Sequence, residues 1–211
     1  MALRYLALFE TDDLPPTIPS TMLALRRVIS RPGFLLYVDK DDETPLVISD
    51  SGAIIGHLFQ RPPQSARVKE IDDGFAEQIQ RTRGKHLIEH YWGGYVCLTQ
   101  EAEPAHSHIV RDPSGALPCL YMKLPRGWAV SSDIETLVDA GLVSSSIDWD
   151  SLKRHLTAYD LRTSNTCLTG IFECLAGTHV SLSKTAATIT HARAIHLGVM
   201  TVLRTRTQPG R

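Results

Sequence analysis

The chain has 211 residues, 43% of them hydrophobic and 21% charged, with a mean hydropathy of −0.09. A globular chain of this size buries roughly 70% of the surface that its unfolded form exposes, so global disorder and collagen-like structure are excluded. Lys and Arg (22) balance Asp and Glu (23) to a formal charge of −1; with no overall basic field, neither nucleic acid nor an anionic membrane is expected as a partner.

The opening MALRYLALFE carries one Arg and an apolar stretch, but Asp12, Asp13, Pro15 and Pro16 follow before a signal-peptide core could form. No apolar run approaches the roughly eighteen residues that a membrane span needs, and a cytoplasmic location is expected. Cys97, Cys119, Cys167 and Cys174 are widely spaced with no CxxC pair. They are read as reduced, mostly buried thiols, not as a disulfide scaffold or zinc knuckle.

In chain order, short apolar runs bounded by turn residues predict strands over 4–9, 34–38, 45–49 and 53–59, with a short helix over 21–29. Asp72 is an N-cap candidate for a helical stretch reaching about residue 91, in which Phe75, Ile79, Leu87 and Ile88 recur at helical intervals and Gly84 is a point of division. Strands return at 95–99, 108–110, 120–123 and 127–130, with turns at 112–115 and 125–127. Asp133 opens a helix over 134–140 that Gly141 stops, and Asp148 opens another in which Trp149, Leu152, Leu156 and Tyr159 repeat at three- and four-residue steps. The last pair of strands is placed at 178–182 and 187–191. Blocks of strands separated from blocks of helices predict an α+β fold of two antiparallel sheets with flanking helices. The final fifteen residues hold three Arg and no acid and are expected to be a truncated or irregular tail.

Several residues invite sharper readings. His86 and His90 have the i, i+4 spacing of metal ligands, yet no third ligand is near in sequence and the HExxH order is not met, so they are read as a surface pair flanking Glu89. His106 and His108 alternate along a predicted strand and are read as facing solvent. Tyr91, Trp92, Tyr95 and Trp128 could present rings to a peptide, but core packing is the favoured reading. Asp112 to Gly115 makes a satisfactory turn without a ligand, with Arg111 and Asp112 fixing the hairpin or a domain contact.

Four motifs, two of them in two parts, stand together in register. RDPSGALPCLY (111–121) is followed by GWAVSSDIETL (127–137); upstream lie SGAIIGH (51–57) and YWGGYV (91–96), and downstream CLTGI (167–171) with LAGTHV (175–180). Over residues 3–190 the chain resembles the N-terminal domain of the asparagine synthetases, and within that family the macrolactam synthetases of lasso-peptide biosynthesis. The resemblance implies a four-layer αββα sandwich of the N-terminal-nucleophile-hydrolase type. It also implies a class II glutamine amidotransferase-like domain over 1–195 and a tail over 196–211 where a synthetase domain would begin.

Glutamine hydrolysis in that family needs a cysteine at position 2, whose freed α-amine serves as base. This chain has Ala2, and a shifted register would place Leu3 there. The family's carboxylate-binding arginine falls at about Phe34 and its oxyanion-donating asparagine at Ser51, while Gly52 is retained; Asp72 is the acid that spacing offers for the substrate amine. Loss of one oxyanion donor costs about 10²- to 10³-fold in rate, and loss of the nucleophile removes the covalent route. The expectation is a degenerate domain with no catalytic residue and with Ser51, Gly52 and Asp72 as substrate-binding positions. No cofactor is expected in this chain, since the family's S-G-G-x-D-S motif is absent and ATP and magnesium belong to the synthetase half. The implied partners are that synthetase domain or a full-length homologue, a precursor peptide and its leader peptidase. The other reading is a fragment of a glutamine-hydrolysing asparagine synthetase that retains amide hydrolysis.

Overall fold

A computed structural model describes residues 3–10, 25–40, 45–48, 51–101, 106–144, 146–158, 163–191 and 206–209. The chain divides into two compact units, one from Met1–Asp42 with Pro118–Leu175 and the other from Glu43–Leu117 with Ala176–Arg211. Each is built on one antiparallel sheet, so the chain is α+β, consistent with an N-terminal-nucleophile-hydrolase-like fold.

In the first unit the strands are β1 (Tyr5–Glu10), β2 (Leu25–Arg31), β3 (Phe34–Asp39), β8 (Leu120–Leu124), β9 (Gly127–Ser131) and β10 (Ile171–Glu173). They lie in the order β10-β8-β9-β1-β3-β2. Strand β1 is central and its first five residues are buried on both faces. Helix α3 (Ile134–Asp139) starts at Asp133, whose carboxylate accepts from Thr136 N at 2.7 Å. Arg4 ties this cap to the head of β1, reaching Thr136 Oγ1 at 3.0 Å and Asp133 at 3.7 Å. Leu137 of α3 joins Leu6, Leu8, Met122 and Ile171 in one apolar cluster. Helix α4 (Trp149–Thr157) begins at Asp148, as the sequence predicts.

The second unit carries β4 (Leu46–Ile48), β5 (Gly52–Gln60), β6 (Tyr91–Gln100), β7 (Ser107–Arg111), β11 (Thr178–Leu182), β12 (Ala186–His191) and β13 (Arg206–Pro209), in the order β13-β12-β11-β7-β6-β5-β4. Helices α1 (Asp73–Thr82) and α2 (Lys85–His90) pack Ala76, Ile79, Leu87 and Ile88 against Ile54, Leu58, Tyr95 and Val110 of the sheet. Asp72 caps α1, and Gly84, at φ 78°, divides the helices where a side chain would meet Val110 Cγ2 at 2.9 Å.

Three expectations change. The helix over 21–29 is instead the edge strand β2 where it is described, from residue 25. Leu25 and Ile29 are buried, and pairing with β3 through a bulge between Arg27 and Ile29 overrides the local helical spacing. His108 does not face solvent. Its strand β7 lies between β6 and β11, and all five of its residues are buried. Of the aromatic group, Tyr95 and Trp128 are buried, but Trp92 is 48% exposed and stacks on Phe59 at 4.7 Å. Residues 206–209 of the expected tail form β13 on the edge of the sheet; Tyr159 and residues 192–205 lie outside the described residues. Among the described residues no helix is long and apolar enough to cross a membrane.

Candidate functional site

Ser51 follows β4 at a tight turn, its N–H donating to Ile48 O at 3.0 Å and its carbonyl accepting from Gln100 N at 2.7 Å. The hydroxyl donates to Ile48 O at 3.3 Å and accepts from Gln80 Nε2, in α1, at 2.7 Å. Next to it, Gly52 pairs with Thr99 across β5 and β6. A Cβ on Gly52 would stand 2.1 Å from Leu98 O, so the sheet closes here only around a glycine. Gly52→Ala is expected to cost about 3 kcal/mol, or about 6–12 °C in Tm, checked by thermal unfolding with Gly74→Ala as the roomy comparison.

Asp72 is exposed and serves as the N-cap of α1, accepting from Phe75 N at 2.8 Å. Gln80 lies eight residues on, about 12 Å along the helix at 1.5 Å per residue. The structure therefore joins Ser51 to the far end of α1 from Asp72 and does not gather the two side chains at one point.

Position 34 is explicit in the first unit. Phe34 pairs with Phe9 across β1 and β3, the rings stack at 4.8 Å with planes 8° apart, and each is about 2% exposed. An apolar stack of this kind offers no donor to a carboxylate and strongly disfavours burying one against it. At the head of β1, Leu3 is half-buried; Ala2 lies outside the described residues. Cys97 supplies no substitute nucleophile, because complete burial pushes its thiol well above the ordinary range and keeps it protonated. Cys119 and Cys174 are buried as well, and Cys167 is half-buried.

The segment after β7 is held from within. The buried Arg111 guanidinium donates to Leu117 O and Gly115 O, both at 2.8 Å. Asp112, fully buried, accepts from Tyr95 N at 3.2 Å, from Ser114 N at 2.8 Å and from the Ser114 hydroxyl. Its carbonyl accepts from Gly115 N and Gly177 N, so the turn expected at 112–115 is present and fixes the start of β11.

Two histidine pairs lie outside these positions. His86 and His90 place their rings 4.2 Å apart beside Phe75 and Tyr91, and burial with the His90 charge lowers the His86 pKa. Sequence reasoning missed the second pair. His179 Nε2 lies 3.2 Å from His108 Nδ1, and Glu101 lies 3.4 Å from His108 Nε2. Only the diagonal adjacency of β7 and β11 brings these residues together, and no local spacing signals it. Among the described residues no group of three or more His, Cys, Asp or Glu could hold a metal ion.

No curated protein matches this sequence. The glutamine amidotransferase domain, in contrast, matches residues 77–192, from within α1 to just beyond β12. Ser51, Gly52 and Asp72 precede that span. It includes the Arg111–Asp112 turn and the paired strands β6, β7, β11 and β12, four of the five interior strands of the second unit's sheet. With more than half of the sequence matched and two antiparallel sheets of the expected kind, the chain belongs to the glutamine amidotransferase domain family.

Proposed function

We propose that this chain is a non-catalytic glutamine amidotransferase-like domain that acts as a scaffold for an ATP-dependent, asparagine-synthetase-like half, in a macrolactam synthetase of lasso-peptide biosynthesis. The observation that carries the reading is the buried Phe9–Phe34 stack, at the position where the family resemblance puts the guanidinium that holds the substrate carboxylate. Ala2 at the nucleophile position supports it, since a methyl group has no lone pair with which to attack an amide carbon. In this reading Ser51 and Gly52 stand where the family has its oxyanion turn, and Asp72, at the other end of α1, is left as a helix cap, so these substrate-binding positions no longer serve turnover. ATP and magnesium belong to the synthetase half. That half activates a carboxyl group of the precursor peptide for attack by the peptide's amine, and the present domain supports the reaction by contact alone.

Purified chain incubated with glutamine is expected to release no ammonia above the buffer rate, and a glutamine-mimicking electrophile is expected to leave its mass unchanged. Steady ammonia release or a covalent adduct near the amino terminus would restore the hydrolytic reading. The scaffold role is tested separately by calorimetry against a synthetase domain or full-length homologue, where binding is expected and its absence counts against that role.

A further inference from the structure

Helix α4 is amphipathic in the wrong direction for a helix packed on its own core. Its sole buried residue is Ser151, while Trp149 is 70% and Leu156 71% exposed. At 100° per residue, Trp149 and Leu156 lie about 140–160° around the helix from Ser151, so the apolar ridge points away from the unit that carries it. Exposed apolar surface gathered in this way marks an interaction site more often than scattered single residues do.

The same unit provides a matching depression. Ile134, Glu135, Val138 and Asp139 of α3 line an open groove with Leu168. Leu168 is bridged to Ile147, which is 48% exposed and leads directly into α4. Ridge and groove are thus neighbours on one molecule. Charge is opposed across them: exposed Lys153 sits on the ridge, four residues after Trp149 and three before Leu156, and exposed Glu135 stands on the rim of the groove.

We propose that this face joins two copies of the chain about a twofold axis, with α4 of each copy seated in the α3 groove of the other. A twofold contact repeats every pairing, so one Lys153–Glu135 match occurs twice, as does each insertion of Trp149 and Leu156. A tryptophan entering an apolar groove is the kind of residue that dominates interface energy.

Sedimentation of the full chain tests this: the residues concerned are exposed, so their replacement is expected to leave the fold intact, with circular dichroism of each variant as the check. A monomer–dimer equilibrium is expected below about 0.2 mM, and Trp149→Ser and Leu156→Ser are each expected to weaken it at least about tenfold. Lys153→Glu and Glu135→Lys should each weaken self-association, whereas mixing the two variants should restore a heterodimer, since both ridge–groove pairs are then of opposite charge. A chain that stays monomeric throughout this range, a dimer indifferent to Trp149→Ser and Leu156→Ser, or charge variants that do not rescue one another would each overturn the proposal.

Discussion

Lowering the pH from about 7.5 to about 5 is expected to destabilise the folded chain by roughly 2–4 kcal/mol, through His108 and His179. Burial lowers the His108 pKa to about 4; Glu101 opposes the shift, while Arg83 and His106 reinforce it. His179 is lowered to about 3 by burial and then by the charges of His108, Lys85 and Arg83. The unfolded imidazoles take up protons below about 6.5, whereas the folded ones do not until about 4 and 3, so stability falls steadily across that window. Glu101 titrates in a different range. Burial raises its pKa, but the Arg83 hydrogen bond at 2.7 Å and the neighbouring His108 outweigh this and leave it lowered, so its contribution is lost only at still lower pH.

Urea unfolding at both pH values measures the effect. Replacing both imidazoles together, as His108→Leu with His179→Met, should flatten the pH dependence without a large loss at neutral pH, since both partners of one hydrogen bond are removed and no lone donor remains. An unchanged pH slope in the double variant would assign the acid sensitivity elsewhere.

Asp112→Ala is expected to cost about 3 kcal/mol, because it strips acceptors from the buried Tyr95 N–H and from Ser114 N–H at the same time. Asp112→Asn keeps an acceptor for one of the two donors and is expected to lose about half as much. The measurement is the urea midpoint at constant m-value. A loss below about 1 kcal/mol for the alanine variant would mean that Arg111 and the backbone hold the turn unaided.

Reading the site from sequence succeeds where the chemistry is local. Asp72, Asp133 and Asp148 cap the three helices they precede because a cap is decided within four residues, the reach of one carboxylate to one exposed N–H. Gly84 divides α1 from α2 for a reason equally short in range, a positive φ that other residues avoid. Ser51 and Gly52 were legible as the break between two predicted strands, but not the reason for Gly52, since the atom that a side chain would strike belongs to Leu98, on a strand 46 positions away in sequence. Residues 21–29 read as helix, and from residue 25 they form a strand because β3 offers unpaired backbone groups beside them.

The sequence by itself determined the class of fold and the positions of most strands and caps, because each depends on residue type or on spacing within a few positions. Tertiary structure alone decided that Phe34 closes on Phe9, that His108 is buried against His179, and that the apolar stripe of α4 faces outward. These depend on which strands and helices become neighbours, and that is settled by burial of the whole chain at once, which no short window contains.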